Sequence, residues 1–186
     1  MRGLNGQGGL FEYAAIRRAA ERSSASAAEI YAAIFGGEWE LSFDSAKAVG
    51  AEELPCLLDR VASEGPCLCA IIGGELEGRC VVWPPQGPED APEIPQLRYE
   101  LVAEALSNCF ITALADLSQI PFWGSQMRLK EGPCCLPEDW AGPAAAWSFE
   151  ATLNHGSHPY RISVALLAPS SDLFMLQQGL CLEAAA

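Results

Sequence analysis

QLRYELVAEALSNCFITALADLS, residues 96–118, is the stretch that decides how this chain folds. Val102, Leu106, Cys109, Phe110, Ala113, Leu114 and Leu117 recur at spacings of three and four, so one side of a long helix is apolar and must be covered. An Ala-rich stretch from about Leu10 to Phe35 repeats the pattern, with Ala20, Ala27, Ile30, Tyr31 and Ile34 on one face and Gly36-Gly37 as its stop. After this helix, Trp39, Leu41 and Phe43 alternate with Glu38, Glu40, Ser42 and Asp44, the period of a half-buried strand. After the 96–118 helix, Pro121–Lys130 reads as a strand in the same way.

Each half then closes with a hairpin. The first runs from Cys67 to Trp83 and turns at Gly73-Gly74; the second joins WSFEATLN, residues 147–154, to YRISVALLA, residues 160–168. Ala51–Ala62 is read as a short helix or turn interrupted by Pro55. The turn-rich LPEDWAGPAAA precedes the second hairpin, and a helical turn at Ser170–Leu180 ends the chain.

Between the halves lies PPQGPEDAPEIP, residues 84–95, whose prolines and acidic residues suit an extended linker. A shift of 83 residues sets Tyr31 on Leu114 and Trp39 on Phe122. Residues 1–84 and 96–186 are therefore expected to be two repeats of one pattern, joined by a linker at 85–95 and packed as one domain.

Composition narrows the partners. The chain has 186 residues, 11 Lys plus Arg against 24 Asp plus Glu, and a net charge of −13. That charge repels phosphate backbones and anionic lipid, so neither nucleic acid nor membrane is an expected partner. Arg17, Arg18, Glu21 and Arg22 interrupt the only N-terminal apolar run, leaving no signal-peptide core, and the expected location is the cytoplasm. The eight cysteines are accordingly read as reduced thiols, packed as small hydrophobes.

Residues 105–120, ALSNCFITALADLSQI, resemble the second long helix of the CheC/CheX/FliY chemotaxis phosphatase family. The first helix and strand, ending AAEIYAAIFGGEWELSF, and the hairpin turn IIGGELEG at residues 71–78 are similar to the same family's elements. The resemblance covers roughly Leu10 to Leu180. It implies an α/β (α+β) fold in which two long antiparallel helices pack on a continuous, mainly antiparallel sheet, with pseudo-symmetric halves. It also implies a protein partner, a CheY-type response regulator or a CheD-like protein.

In that family a Glu and, three residues later, an Asn project from a long helix toward the regulator's aspartyl phosphate, the Asn orienting the attacking water. Here those slots hold Arg18 and Glu21 in the first helix and Leu101 and Glu104 in the second. The family's later Pro falls at Asp44 and Met127. A carboxylate cannot donate an amide's hydrogen bonds and repels an acyl phosphate, so the expectation is a partner-binding protein without phosphatase activity. Arg18, Glu21, Glu100 and Glu104 are the candidate binding residues. The alternative enzyme reading uses Glu104 and Asn108, one helical turn apart, as a shifted catalytic pair. A third reading is an oligomeric, flagellar-switch-like structural protein.

Other chemistry has a thinner basis. Cys67, Cys69 and Cys80 with His155 and His158 could supply zinc ligands, but Cys67 and Cys69 share a strand face with apolar Ile71, so buried packing is the simpler account. The glycines before the first helix lack the strand and Lys of a phosphate loop. No nucleophile elbow surrounds any Ser. Trp123, Trp140 and Trp147 are read as core. No metal and no cofactor are expected.

Overall fold

Period-two patterning builds the sheet and period-3.6 patterning covers it. The computed structural model describes residues 5–36, 39–62, 67–92, 94–130, 143–155 and 157–183. Its elements are α1 (Asn5–Phe35), β1 (Trp39–Val49), α2 (Leu54–Ala62), β2 (Cys67–Gly74), β3 (Gly78–Val82), α3 (Gln96–Ser118), β4 (Phe122–Gly124), β5 (Arg128–Lys130), β6 (Ala144–His155), β7 (His158–Pro169) and α4 (Ser170–Glu183). The strands form one seven-stranded antiparallel sheet in the order β1-β6-β7-β3-β2-β4, with β5 also paired to β2. This is an α+β fold with helices packed on an open sheet. Exchanging β1, β6 and β7 for β4, β2 and β3 reverses the strand order and leaves it otherwise unchanged.

Alternation along the long strands sends one set of side chains toward α1 and α3. Phe149, Leu153, Ile162, Val164 and Leu166 form that layer with Ile16, Tyr31, Leu106, Phe110 and Leu114. Phe110 and Phe149 meet edge to face with ring centroids 4.8 Å apart, the preferred geometry for aromatic quadrupoles. The opposite parity, with Cys67, Cys69, Val81, Ala165 and Leu167, makes a smaller core under Leu54 and Leu57 of α2.

The two long helices run antiparallel. Near the end of α3 Arg22 Nη2 meets Asp116 Oδ2 at 2.8 Å, while nearer its start the Tyr31 hydroxyl donates to the Val102 carbonyl. Small residues on α1, namely Ala19, Ala20, Ser23, Ser24 and Ala27, are all buried and permit the close approach. α1 ends at Gly36, whose φ of 80° and N–H bond to the Ala32 carbonyl form a left-handed cap. Burial raises the Tyr31 phenol pKa well above its usual value.

Several expectations are corrected. Ile30 and Ile34 do not join the α1 core face; they are 39% and 53% exposed, and Ile16, Ala19, Ser23 and Ser24 are buried in that layer. Pro55 opens α2 rather than interrupting it, because its missing N–H costs nothing in a first helical turn. Pro121–Lys130 is two short strands separated by Ser125–Met127. The connector is pinned to the sheet: Gln86 and Arg161 exchange backbone hydrogen bonds of 2.8 Å, and the Tyr160 hydroxyl donates to the Pro92 carbonyl at 2.6 Å. The readings placed on Gly37, Cys134, Cys135 and Trp140, and on the side chain of His155, lie outside the described residues.

Candidate functional site

The candidate binding and catalytic residues all lie on the two long helices, α1 and α3. On α1, Arg18 and Glu21 are exposed, and Glu21 Oε1 accepts from Arg17 Nε at 2.7 Å across one turn. On α3, Leu101 and Glu104 are half-buried and Asn108 is exposed. Glu100 is half-buried too, and its Oε1 accepts from Gln96 Nε2 at 3.0 Å.

Antiparallel packing places these groups at opposite ends of the helix pair. Arg18 and Glu21 flank Arg22, which reaches Asp116, whereas Glu104 lies twelve residues before Asp116 on α3. A rise of 1.5 Å per residue makes that separation about 18 Å. The two sets of slots therefore form two separate places, and neither set completes the other.

Glu104 and Asn108 do lie one turn apart on the same helix, Glu104 half-buried as a residue and Asn108 exposed. The positions of the family's Pro have other uses here. Asp44 Oδ2 accepts from Thr152 Oγ1 at 2.6 Å beside the bulge between Phe43 and Ser45, and Met127 packs against the main core.

Three of the described thiols are buried, whereas Cys56 is exposed and departs from the expected packing. Cys67, Cys69 and Cys80 are buried, and burial pushes the Cys80 thiol up to about 12, with the Ser107 hydroxyl opposing part of the shift. Burial also raises Cys109. Among the described residues no three His, Cys, Asp or Glu side chains come together in a metal-ligating group. α3 is the one described helix long and apolar enough to cross a membrane by length and composition, and it lies against the sheet as the central core helix.

Two surface features escaped the sequence reading. The Arg22–Asp116 bridge links the helices across 94 residues of chain, a pairing that no local pattern reveals. Trp123 is 63% exposed, contrary to the expectation that it is core, while Trp147 is buried as expected. Alternation in Phe122-Trp123-Gly124 held the signal, since Phe122 turns inward and its neighbour must turn out. Ile71 stands on the same strand face as Cys67 and Cys69 but is 56% exposed, so the covered part of that face stops at Cys69.

No protein-family model matches the chain, and no curated protein matches its sequence. Solved structures do match its fold. FliY of Thermotoga maritima superposes with a TM-score of 0.62 at 10% identity, covering 98% of this chain and 100% of FliY. FliM of H. pylori, from its complex with SpeE, gives 0.65 at 8% identity with 98% of each chain covered. FliM from the H. pylori FliG–FliM complex gives 0.63 at 7% identity, over 90% of this chain and 97% of that one. The fold is thus that of FliY and the FliM middle domain, the architecture that the sequence resemblance implied.

Proposed function

We propose that this chain is a cytoplasmic partner-binding protein of a bacterial chemotaxis or flagellar-switch system that lacks phosphatase activity. It docks a CheY-type response regulator or a CheD-like protein along the outer ridge of α1 and α3. The observation that carries this reading is the FliY-like fold over 98% of the chain combined with Arg18/Glu21 and Leu101/Glu104 in the slots of the Glu–Asn pair. Aspartyl-phosphate hydrolysis needs an amide that holds water in line, and carboxylates at those slots repel the phosphoryl group instead.

Phosphate release from a phosphorylated CheY-type regulator, measured with and without the protein, tests the inactive reading. The expected result is an unchanged rate with the wild type and with Glu104→Ala. Acceleration by the wild type that Glu104→Ala or Asn108→Ala abolishes would replace it with the shifted-pair enzyme.

A second reading, an oligomeric switch component, is favoured by the likeness to FliM. Light scattering on the purified protein separates a monomeric binder from an assembling one. The chain is also read as two fused repeats, 1–84 and 96–186. Support comes from the reversible strand order and from buried Ser24 and Ser107, which the 83-residue shift superposes on facing helices.

A further inference from the structure

Away from the helix ridge, the sheet's other face carries two exposed apolar side chains bordered by two arginines. Register fixes its members. Trp123 on β4 pairs with Gly73 and Arg128 on β5 pairs with Cys69, while Ile71 pairs with Arg79 on β3. Directly paired residues point to one face, and alternate residues of β2 share it, so Ile71, Arg79, Trp123 and Arg128 all stand on the side of Cys69. Trp123 and Ile71 are 63% and 56% exposed.

The indole is held in place. Gly73 and Gly74 leave room for it to lie across the hairpin: a β-carbon at Gly74 would stand 2.9 Å from Trp123 Cζ3, and one at Gly73 would stand 3.9 Å from the ring. Gly74 also has a φ of 117°, which side-chain-bearing residues rarely adopt. Two glycines in series thus build a flat seat, and the ring's other face is left to solvent. A pre-set aromatic loses little conformational entropy on binding.

Arg79 and Arg128 border this surface, and among the described residues neither joins an ion pair. In a chain of net charge −13 with 11 basic residues, two of the arginines stand beside an exposed Trp and Ile, with no ion pair to either among the described residues. Trp and Arg around an apolar centre are the composition of binding hot spots. We infer that this face docks a partner segment of acidic character carrying an apolar anchor, the anchor stacking on Trp123 and Ile71 while its carboxylates meet Arg79 and Arg128. The inference does not depend on the helix-ridge reading, because the two surfaces lie on opposite sides of the sheet.

The test uses the full chain and a displayed library of random twelve-residue peptides. Enriched peptides are expected to combine Asp or Glu with an aromatic or aliphatic residue, and to lose at least tenfold in affinity against Trp123→Ser and against Arg79→Glu/Arg128→Glu. Binding to the wild type is expected to weaken as salt rises. Both variants change surface side chains, and unaltered circular dichroism and melting temperature verify their folding. No enrichment, peptides without acidic residues, or equal binding to the variants overturns the inference. So does a concentration-dependent dimer abolished by Trp123→Ser, since a second copy would then occupy the face.

Discussion

Replacing Gly179 by alanine sets local helix preference against tertiary packing. Gly179 lies inside α4, where the change alone should stabilise the helix by ~1 kcal/mol. Packing opposes it: the new β-carbon would stand 2.4 Å from the Ser118 carbonyl oxygen and 3.1 Å from the Ser118 β-carbon. That oxygen belongs to the last turn of α3 and cannot swing aside as a side chain would. α4 must therefore back away by ~1 Å to reach an ordinary contact distance of about 3.5 Å. Retreat loosens Leu173, Leu176 and Leu180, the residues that α4 buries. Against an unyielding backbone oxygen the cost falls in the upper part of the ~1–3 kcal/mol overpacking range, at about 2–3 kcal/mol, so the net destabilisation after the helix gain is about 1–2 kcal/mol. For a chain of this length that lowers Tm by roughly 2–8 °C. Gly50→Ala is the control, because a β-carbon there meets nothing within 4 Å; its expected change runs from neutral to a gain of about 1 kcal/mol. Urea denaturation followed by circular dichroism reads both. A raised midpoint for Gly179→Ala, or one matching Gly50→Ala, would refute the close helix crossing.

Four further outcomes are expected. Tyr31→Phe removes the α1–α3 hydrogen bond without changing shape and should cost about 1 kcal/mol in urea denaturation; no change would mean the hydroxyl contributes nothing across the helix pair. A double-mutant cycle on Arg22 and Asp116, both about half exposed, should give a coupling of only ~0.2–1 kcal/mol that disappears in 1 M salt, and a larger, salt-resistant value would contradict its solvated geometry. Cys80, Tyr31 and Tyr99 hold their protons more tightly folded than unfolded, so their contribution is complete below the ordinary thiol and phenol pKa values and is lost as pH climbs toward about 12; denaturation midpoints should fall through that alkaline window, and a rise would reverse the sign. Installing the family pair with Leu101→Glu and Glu104→Asn should bring dephosphorylation of a CheY-type regulator above background, and a folded but inert variant would show that the α3 slots do not face a docked phosphate.

The long helices and the strand alternation were readable because their spacings reflect local geometry. Tyr31, Leu106 and Phe110 fall where period 3.6 puts them, and Phe149 and Leu153 where period two does. What escaped depends on distant chain. Ile34 has a core residue's spacing, yet it is 53% exposed while Tyr31 and Phe35 of the same helix end pack on the core. The connector reads as a free linker by composition, but Tyr160, 68 residues beyond Pro92, supplies the hydroxyl that fixes it. Trp123 looks like core by size, and only its register opposite Gly73 shows that it points outward. Among the candidate residues, the one-turn relation of Glu104 to Asn108 was legible, while the partial burial of Glu104 was not.

On the proposed reading, the two surfaces would divide the chemistry of recognition between them. On the helix ridge, Arg18, Glu21, Glu104 and Asn108 are polar groups on regular helices, spaced by helical geometry and held by partners such as Arg17. Contacts there are largely electrostatic, so they set encounter rate and orientation more than residence time. On the opposite side, Trp123 offers a rigid apolar face seated on glycine, and loss of such an anchor shows mainly in the rate of dissociation. A partner touching only the ridge would therefore bind briefly and salt-sensitively, as a regulator that must be released requires. A partner reaching the Trp123 face would stay longer. Because the sheet separates the two places, one chain can hold a resident partner on one side while sampling a transient one on the other.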